Sequence, residues 1–194
     1  MTGVGPIAPT LQDVRILLRG AKIIPAPLGT VMQLCIMCLC LPWEAVGIDI
    51  ERIDWGTGFT DVPARGGRTR RLYLPAPAMK LVLSVAGSAG GTGQAVTAGR
   101  GVPLQGRHVR LDRIQKRLAE ADPATGRIAW NFHGIRAAGR SALKVAGTAD
   151  LDVLLGLYDR GCSDRNADAE MMATGIERWC ALLLSEPGMR PGKR

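Results

Sequence analysis

His133 and Arg136 are the side chains in this sequence best spaced for phosphate chemistry. Positions three apart share a face of a helix, so an imidazole and a guanidinium at that spacing can converge on one phosphate. A lone His-x-x-Arg is common, and its weight depends on its surroundings. Here it follows Trp130-Asn-Phe and leads into small residues, Ala137-Ala-Gly-Arg-Ser-Ala-Leu143. Further cations gather in two places: Arg65, Arg68, Arg70 and Arg71, and then Arg107, Arg110, Arg113, Lys116 and Arg117. The spacing 107, 110, 113 gives one cationic stripe able to follow a nucleic-acid backbone; the plainer alternative is a solvated helix face. Other chemistries fit poorly. There is no carboxylate pair, and Cys35-x-x-Cys38 is half of a zinc spacing that no second Cys or His pair completes. Neither a metal nor a cofactor is expected.

Composition sets the frame for these residues. A chain of 194 residues, 46% hydrophobic and 22% charged, suits one globular domain with a sizeable core. The 25 Lys+Arg against 17 Asp+Glu leave a net charge of +8. Such an excess draws polyanions, because neutralising phosphates releases condensed counterions. Five cysteines, three of them crowded into one apolar run, read as buried reduced thiols in a cytoplasmic protein rather than a disulfide framework. Met1 to Thr10 has no signal-peptide pattern. The most apolar run, Val31 to Leu41, is too short to span a bilayer and ends at Pro42. No membrane partner is expected.

The elements that must position the candidate residues are mostly helical. Leu11 to Ala21 has an amphipathic pattern. Thr30 is the expected N-cap of a core helix through Cys40, and Pro42 suits the first turn of another running to about Ile50. Phe59 to Val62 and Arg70 to Leu74 read as a hairpin joined by Ala64-Arg-Gly-Gly-Arg-Thr69. Helix returns over Pro75 to Val85. A glycine-rich loop, Ala86 to Gly106, precedes a basic helix from Arg107 to Ala121. Trp130 to Val145, closed by Gly147, and then Asp150 to Tyr158 and Ala167 to Leu184 complete the helices.

Taken together, these motifs resemble the catalytic domain of tyrosine recombinases of the phage-integrase family. His133-Gly-Ile-Arg136 is similar to the family's His-x-x-Arg box. Pro27-Leu-Gly-Thr-Val-Met-Gln-Leu34, Trp43-Glu44 and Ile50-Glu-Arg-Ile-Asp54 resemble its first catalytic helix and the exit from it. Asp61 to Pro75 looks like its hairpin, Arg110-Leu-Asp-Arg113 like the helix before the box, and Ile176-Glu-Arg-Trp179 like its closing helix. The resemblance implies a mainly α fold with a small antiparallel β-hairpin sheet (α+β), with residues 11–184 as the integrase-like domain. Residues 1–10 and 185–194 read as flexible termini, and no counterpart of the family's preceding DNA-clamping, core-binding domain is expected. It further implies binding of double-stranded DNA, recombinase protomers in a tetrameric synapse, and strand cleavage through a phosphotyrosine without metal or cofactor. Two arginines and a histidine would stabilise the phosphorane, and a lysine would protonate the leaving oxygen.

The pattern breaks at several of the family's catalytic positions. In the register fixed by Glu44, the first arginine falls at Leu41, which offers a phosphate no donor. Losing one such donor typically costs on the order of 100- to 1000-fold in rate. The hairpin lysine becomes Arg65, a poor proton donor because a guanidinium holds its proton far above neutral pH. The second histidine becomes Leu157. Tyr158-Asp-Arg-Gly161 resembles the nucleophile box, whereas alignment on Trp179 puts Ser163 there instead; Tyr73 sits in the wrong context. The retained set is Arg65, His133, Arg136 and Tyr158, with Arg68, Arg70, Arg71, Arg107, Arg110, Arg113, Lys116 and Arg117 toward DNA. An impaired recombinase domain is expected. The alternative is a non-catalytic module that binds DNA or docks on an intact recombinase through its last helix.

Overall fold

A computed structural model describes residues 8–64, 67–88, 93–97, 109–147 and 165–185. Seven α-helices and one hairpin are seen among them: α1 (Leu11–Ile23), α2 (Leu28–Met37), α3 (Pro42–Val46), β1 (Phe59–Pro63), β2 (Thr69–Tyr73), α4 (Ala76–Ser88), α5 (Leu111–Ala121), α6 (Phe132–Val145) and α7 (Arg165–Leu184).

Helix α1 starts where the sequence demands it. The Thr10 hydroxyl accepts from the Asp13 N–H, and the Asp13 carboxylate accepts from the Thr10 N–H, so two otherwise unpaired donors are satisfied. Its inner stripe of Val14, Leu17, Leu18 and Ala21 packs on α2. Helix α2 is apolar almost all round and lies at the centre, with α1, α3, α4, α6 and α7 against it. It begins two residues before Thr30, which is buried inside the helix and does not cap it. It also ends at Met37, short of Cys40, because Leu39 takes a left-handed conformation with φ 49°. That turn aims the Leu39 carbonyl inward. Pro42 then opens α3, where its missing N–H costs nothing.

The hairpin is antiparallel, with Val62 opposite Arg70 and Asp61 opposite Arg71. Side chains alternate between faces. Thr60, Val62 and Leu72 therefore point into the core, and Arg70 shares their face, while Asp61, Thr69 and Arg71 face outward. Helix α5 buries Ile114 and Leu118 and keeps its basic residues on the other side. The Gln115 amide donates to the Trp130 carbonyl at 2.9 Å, which ties α5 to the segment entering α6. Asn131 caps α6 by accepting from Gly134 N–H at 2.7 Å. Gly147, past its end, has φ 73°, as expected of a helix-terminating glycine.

Helix α7 closes the core. Trp179 is fully buried and its indole N–H donates to the Ile36 carbonyl at 2.7 Å. Arg15 of α1 donates to the Leu182 carbonyl at 2.6 Å, placing a cation at the negative end of α7. Cys35, Cys38, Cys40 and Cys180 are free, buried thiols. No helix among the described residues is long and apolar enough to cross a membrane. The expected helix over Asp150 to Tyr158 and most of the loop over Ala86 to Gly106 lie outside the described residues.

Candidate functional site

Glu44 is the hub of the one buried charge cluster seen among the described residues. It is the only charged residue between Val31 and Ile48, and it lies in the first turn of α3. Its Oε2 accepts from the Leu41 N–H at 2.6 Å, from Arg70 at 2.8 Å and from Arg136 at 3.0 Å. Its Oε1 takes a second bond from Arg70 Nε. Arg136 also donates from Nε to the inward-aimed Leu39 carbonyl at 2.6 Å. Helix α6 comes close enough for this contact because position 139, one turn beyond Arg136, is glycine. A Cβ there would lie 2.7 Å from both Leu39 methyl carbons.

The electrostatics follow from that geometry. Burial by itself would raise the Glu44 carboxyl, but the hydrogen bond and charge of Arg70, then the charge of Arg136, hold it below the ordinary range. Arg70 is pushed down by burial and, more strongly, up by Glu44, so its net shift is upward. Arg136 ends up lowered, by burial and by the neighbouring charge of Arg70, against the pull of Glu44. Arg136 is thus the less compensated of the two cations.

The candidate residues divide as follows. Arg136 is buried in the cluster, while His133 is exposed at the start of the same helix. The hairpin arginines do not form one surface. Arg70 turns inward to Glu44, while Arg71 lies outward, stacked 4.5 Å from the centre of the Phe59 ring. Arg68 is also exposed. On the exposed side of α5, Arg110 pairs with Asp112, and Lys116 and Arg117 face Glu120; Arg113 is exposed among them. Such surface pairs are weak in water and leave the cations able to turn to another anion. Leu41 is buried beside Glu44. Arg65, Arg107, Leu157, Tyr158 and Ser163 lie outside the described residues.

Tyr73 is placed away from nucleophile chemistry. Its hydroxyl donates to Glu177 at 2.8 Å, and burial together with that carboxylate pushes its pKa up to about 12. Among the described residues, no group of His, Cys, Asp or Glu is arranged to hold a metal ion. Glu44 and the Leu39 carbonyl were not legible as partners of Arg136. The available signal was an isolated acid inside a long apolar run, which needs a buried countercharge.

No family model matches the chain, and no curated protein matches it in sequence. Solved structures do match in fold. The integrase of mycobacterium phage Brujita aligns with a TM-score of 0.62 at 19% identity, over 95% of this chain and 65% of that one. XerA recombinase aligns with a TM-score of 0.58 at 11% identity, over 96% and 67%. Lambda integrase residues 75–356 bound to DNA align with a TM-score of 0.50 at 16% identity, over 87% and 61%. The chain therefore spans just under two thirds of the length of the Brujita integrase. Its fold is that of phage-integrase and tyrosine-recombinase catalytic domains, mostly helical with a two-stranded antiparallel sheet.

Proposed function

We propose that this chain is a DNA-binding domain of the tyrosine-recombinase type, acting in site-specific recombination or integration, with strand cleavage impaired. The observation that carries this reading is the meeting of Arg136, from the His-x-x-Arg box, with the hairpin residue Arg70 at one buried acid within an integrase fold. Double-stranded DNA is the partner. Arg68 and Arg71 of the hairpin, Arg107, and at α5 Arg110, Arg113, Lys116 and Arg117, meet its phosphates. The protein works in the cytoplasm, associated with DNA of a mobile element, with other recombinase protomers as further partners. His133, Arg136, Arg65 and Tyr158 are what remain of a cleavage site. Leu41 removes one phosphate donor and Leu157 another, so turnover is slow or lost.

The test is a labelled, nicked duplex taken from the protein's own genomic flanks. Binding should weaken steeply with salt, and any denaturation-resistant adduct should be scarce and absent from Tyr158→Phe. Salt-independent binding, or none, would remove the DNA-binding reading. Abundant adduct would show that Leu41 does not disable the site.

A further inference from the structure

Helix α2 ends without a local reason. No glycine or proline lies between Thr30 and Leu41, yet the helix stops at Met37 and Leu39 turns left-handed, with φ 49°. A leucine holds that conformation only where its surroundings fix it. The hydrogen bonds show what fixes it here. Carried on to Leu41, α2 would bond the Ile36 carbonyl to the Cys40 N–H and the Met37 carbonyl to the Leu41 N–H. Other groups take both pairings. The Trp179 indole N–H donates to the Ile36 carbonyl at 2.7 Å, and the Cys180 thiol donates to the Met37 carbonyl at 3.6 Å. The Leu41 N–H donates instead to Glu44 at 2.6 Å.

We propose that Trp179 is a positioning residue for Arg136: its N–H ends α2 early, and the turn that follows aims the Leu39 carbonyl at the Arg136 guanidinium. Of the two donors from α7 the indole is the stronger, since a thiol is a weak donor. Trp179 is fully buried, so without it the Ile36 carbonyl would be left unpaired away from water. The nearest remedy is the Cys40 N–H, four residues on. Taking it would draw Leu39 into the right-handed range and turn its carbonyl along the helix axis. Arg136 Nε, now 2.6 Å from that carbonyl, would lose its partner. Helix α6 grips the same turn from the other side, because the Leu39 side chain lies against Gly139, one turn past Arg136. Residues 36–39 therefore couple the seat of α7 to the anchor of the box arginine. The proposal rests on the reading of Arg136 as part of a recombinase-type site. It adds that the closing helix, 43 positions away at Trp179, sets where that arginine is held.

The full chain, labelled with nitrogen-15 and carbon-13, provides the test by nuclear magnetic resonance. Trp179→Phe removes the indole N–H. Where the smaller ring prevents folding, Trp179→benzothienylalanine keeps both rings and puts sulfur in place of the N–H. In whichever folds, the Leu39 Cα signal should move from the left-handed to the helical range, and the Cys40 amide should become protected from exchange. The Arg136 Nε–H should exchange about tenfold faster or more. Leu183→Ala is the control: it removes buried packing from the same helix and leaves the indole bond, so these three signals should stay as in wild type. Unchanged Leu39 and Arg136 signals in a folded variant at 179 would make Trp179 a packing residue only and overturn the proposal. Equal changes in Leu183→Ala would also overturn it, since general loosening of the core would then explain them. None of these signals depends on DNA. Absent or salt-insensitive duplex binding by the wild-type chain would instead take down the DNA-binding reading and leave the coupling of Trp179 to Arg136 in place.

Discussion

Replacing Glu44 by glutamine keeps the shape of the side chain and removes its charge, at a site where the carboxylate accepts from Leu41 N–H, from Arg136 and twice from Arg70. Glutamine has one acceptor oxygen and turns an NH2 toward the remaining donors. Two guanidinium groups, 12% and 10% exposed, then lose their countercharge. Breaking a buried pair by removing one partner costs about 3–5 kcal/mol, a large part of a domain's total stability of roughly 5–15 kcal/mol. With a urea m-value of about 2 kcal/mol/M, the midpoint should fall by on the order of 2 M at neutral pH.

The cost should depend on acidity with a definite sign. The folded carboxyl titrates below its unfolded value, so its contribution is fully present above about pH 4.3 and is lost as pH falls through the folded value. The difference in midpoint between wild type and Glu44→Gln should therefore hold steady from pH 7 to 5 and shrink below that window. Carboxylates common to both proteins cancel in this difference. A cost below about 1 kcal/mol at neutral pH, or a difference that stays constant into acid, would refute the buried triad as a source of stability.

Gly139→Ala sets helix propensity against close packing. Alanine is favoured over glycine by about 1 kcal/mol inside a helix, but its Cβ would sit 2.7 Å from two Leu39 carbons in a filled core. A net loss of about 1–2 kcal/mol is expected in thermal melts; a gain would show that α6 lies farther from Leu39. On α5, Arg113→Ala and Arg117→Ala should each weaken DNA binding across sequences and lower the slope of log affinity against log salt by about 0.9. An unchanged slope would reduce the stripe to a solvated helix face.

The elements were largely legible because their patterns are local. The Thr10 and Asp13 spacing, the alternation of Val62 and Leu72 across the hairpin, and Gly147 past α6 each announce their role within a few residues. Thr30 misled because a residue type favoured at helix starts here lies within a helix whose start is set by the turn at Pro27. The charge cluster was not legible, since Glu44 draws partners from 26 and 92 positions away. Arg70 carried a usable signal in its parity, which puts it on the inward face with Leu72. Its charge argued for solvent, and a buried acid outweighed that preference.

Leu41 and the inward turn of Arg70 are two sides of one arrangement. Glu44 has two oxygens, and the four bonds it accepts already use them. An arginine at 41 would bring a third guanidinium to a single carboxylate, raising the excess of the cluster from one positive charge to two in a site that is mostly shielded from water. Like charges at that separation repel strongly where the dielectric is low. Leucine instead lends the cluster only its backbone N–H and fills the space with an apolar side chain, 5% exposed. Leucine at 41 and the arginine drawn in from β2 thus hold the excess of the cluster at one positive charge, a level the fold can hold.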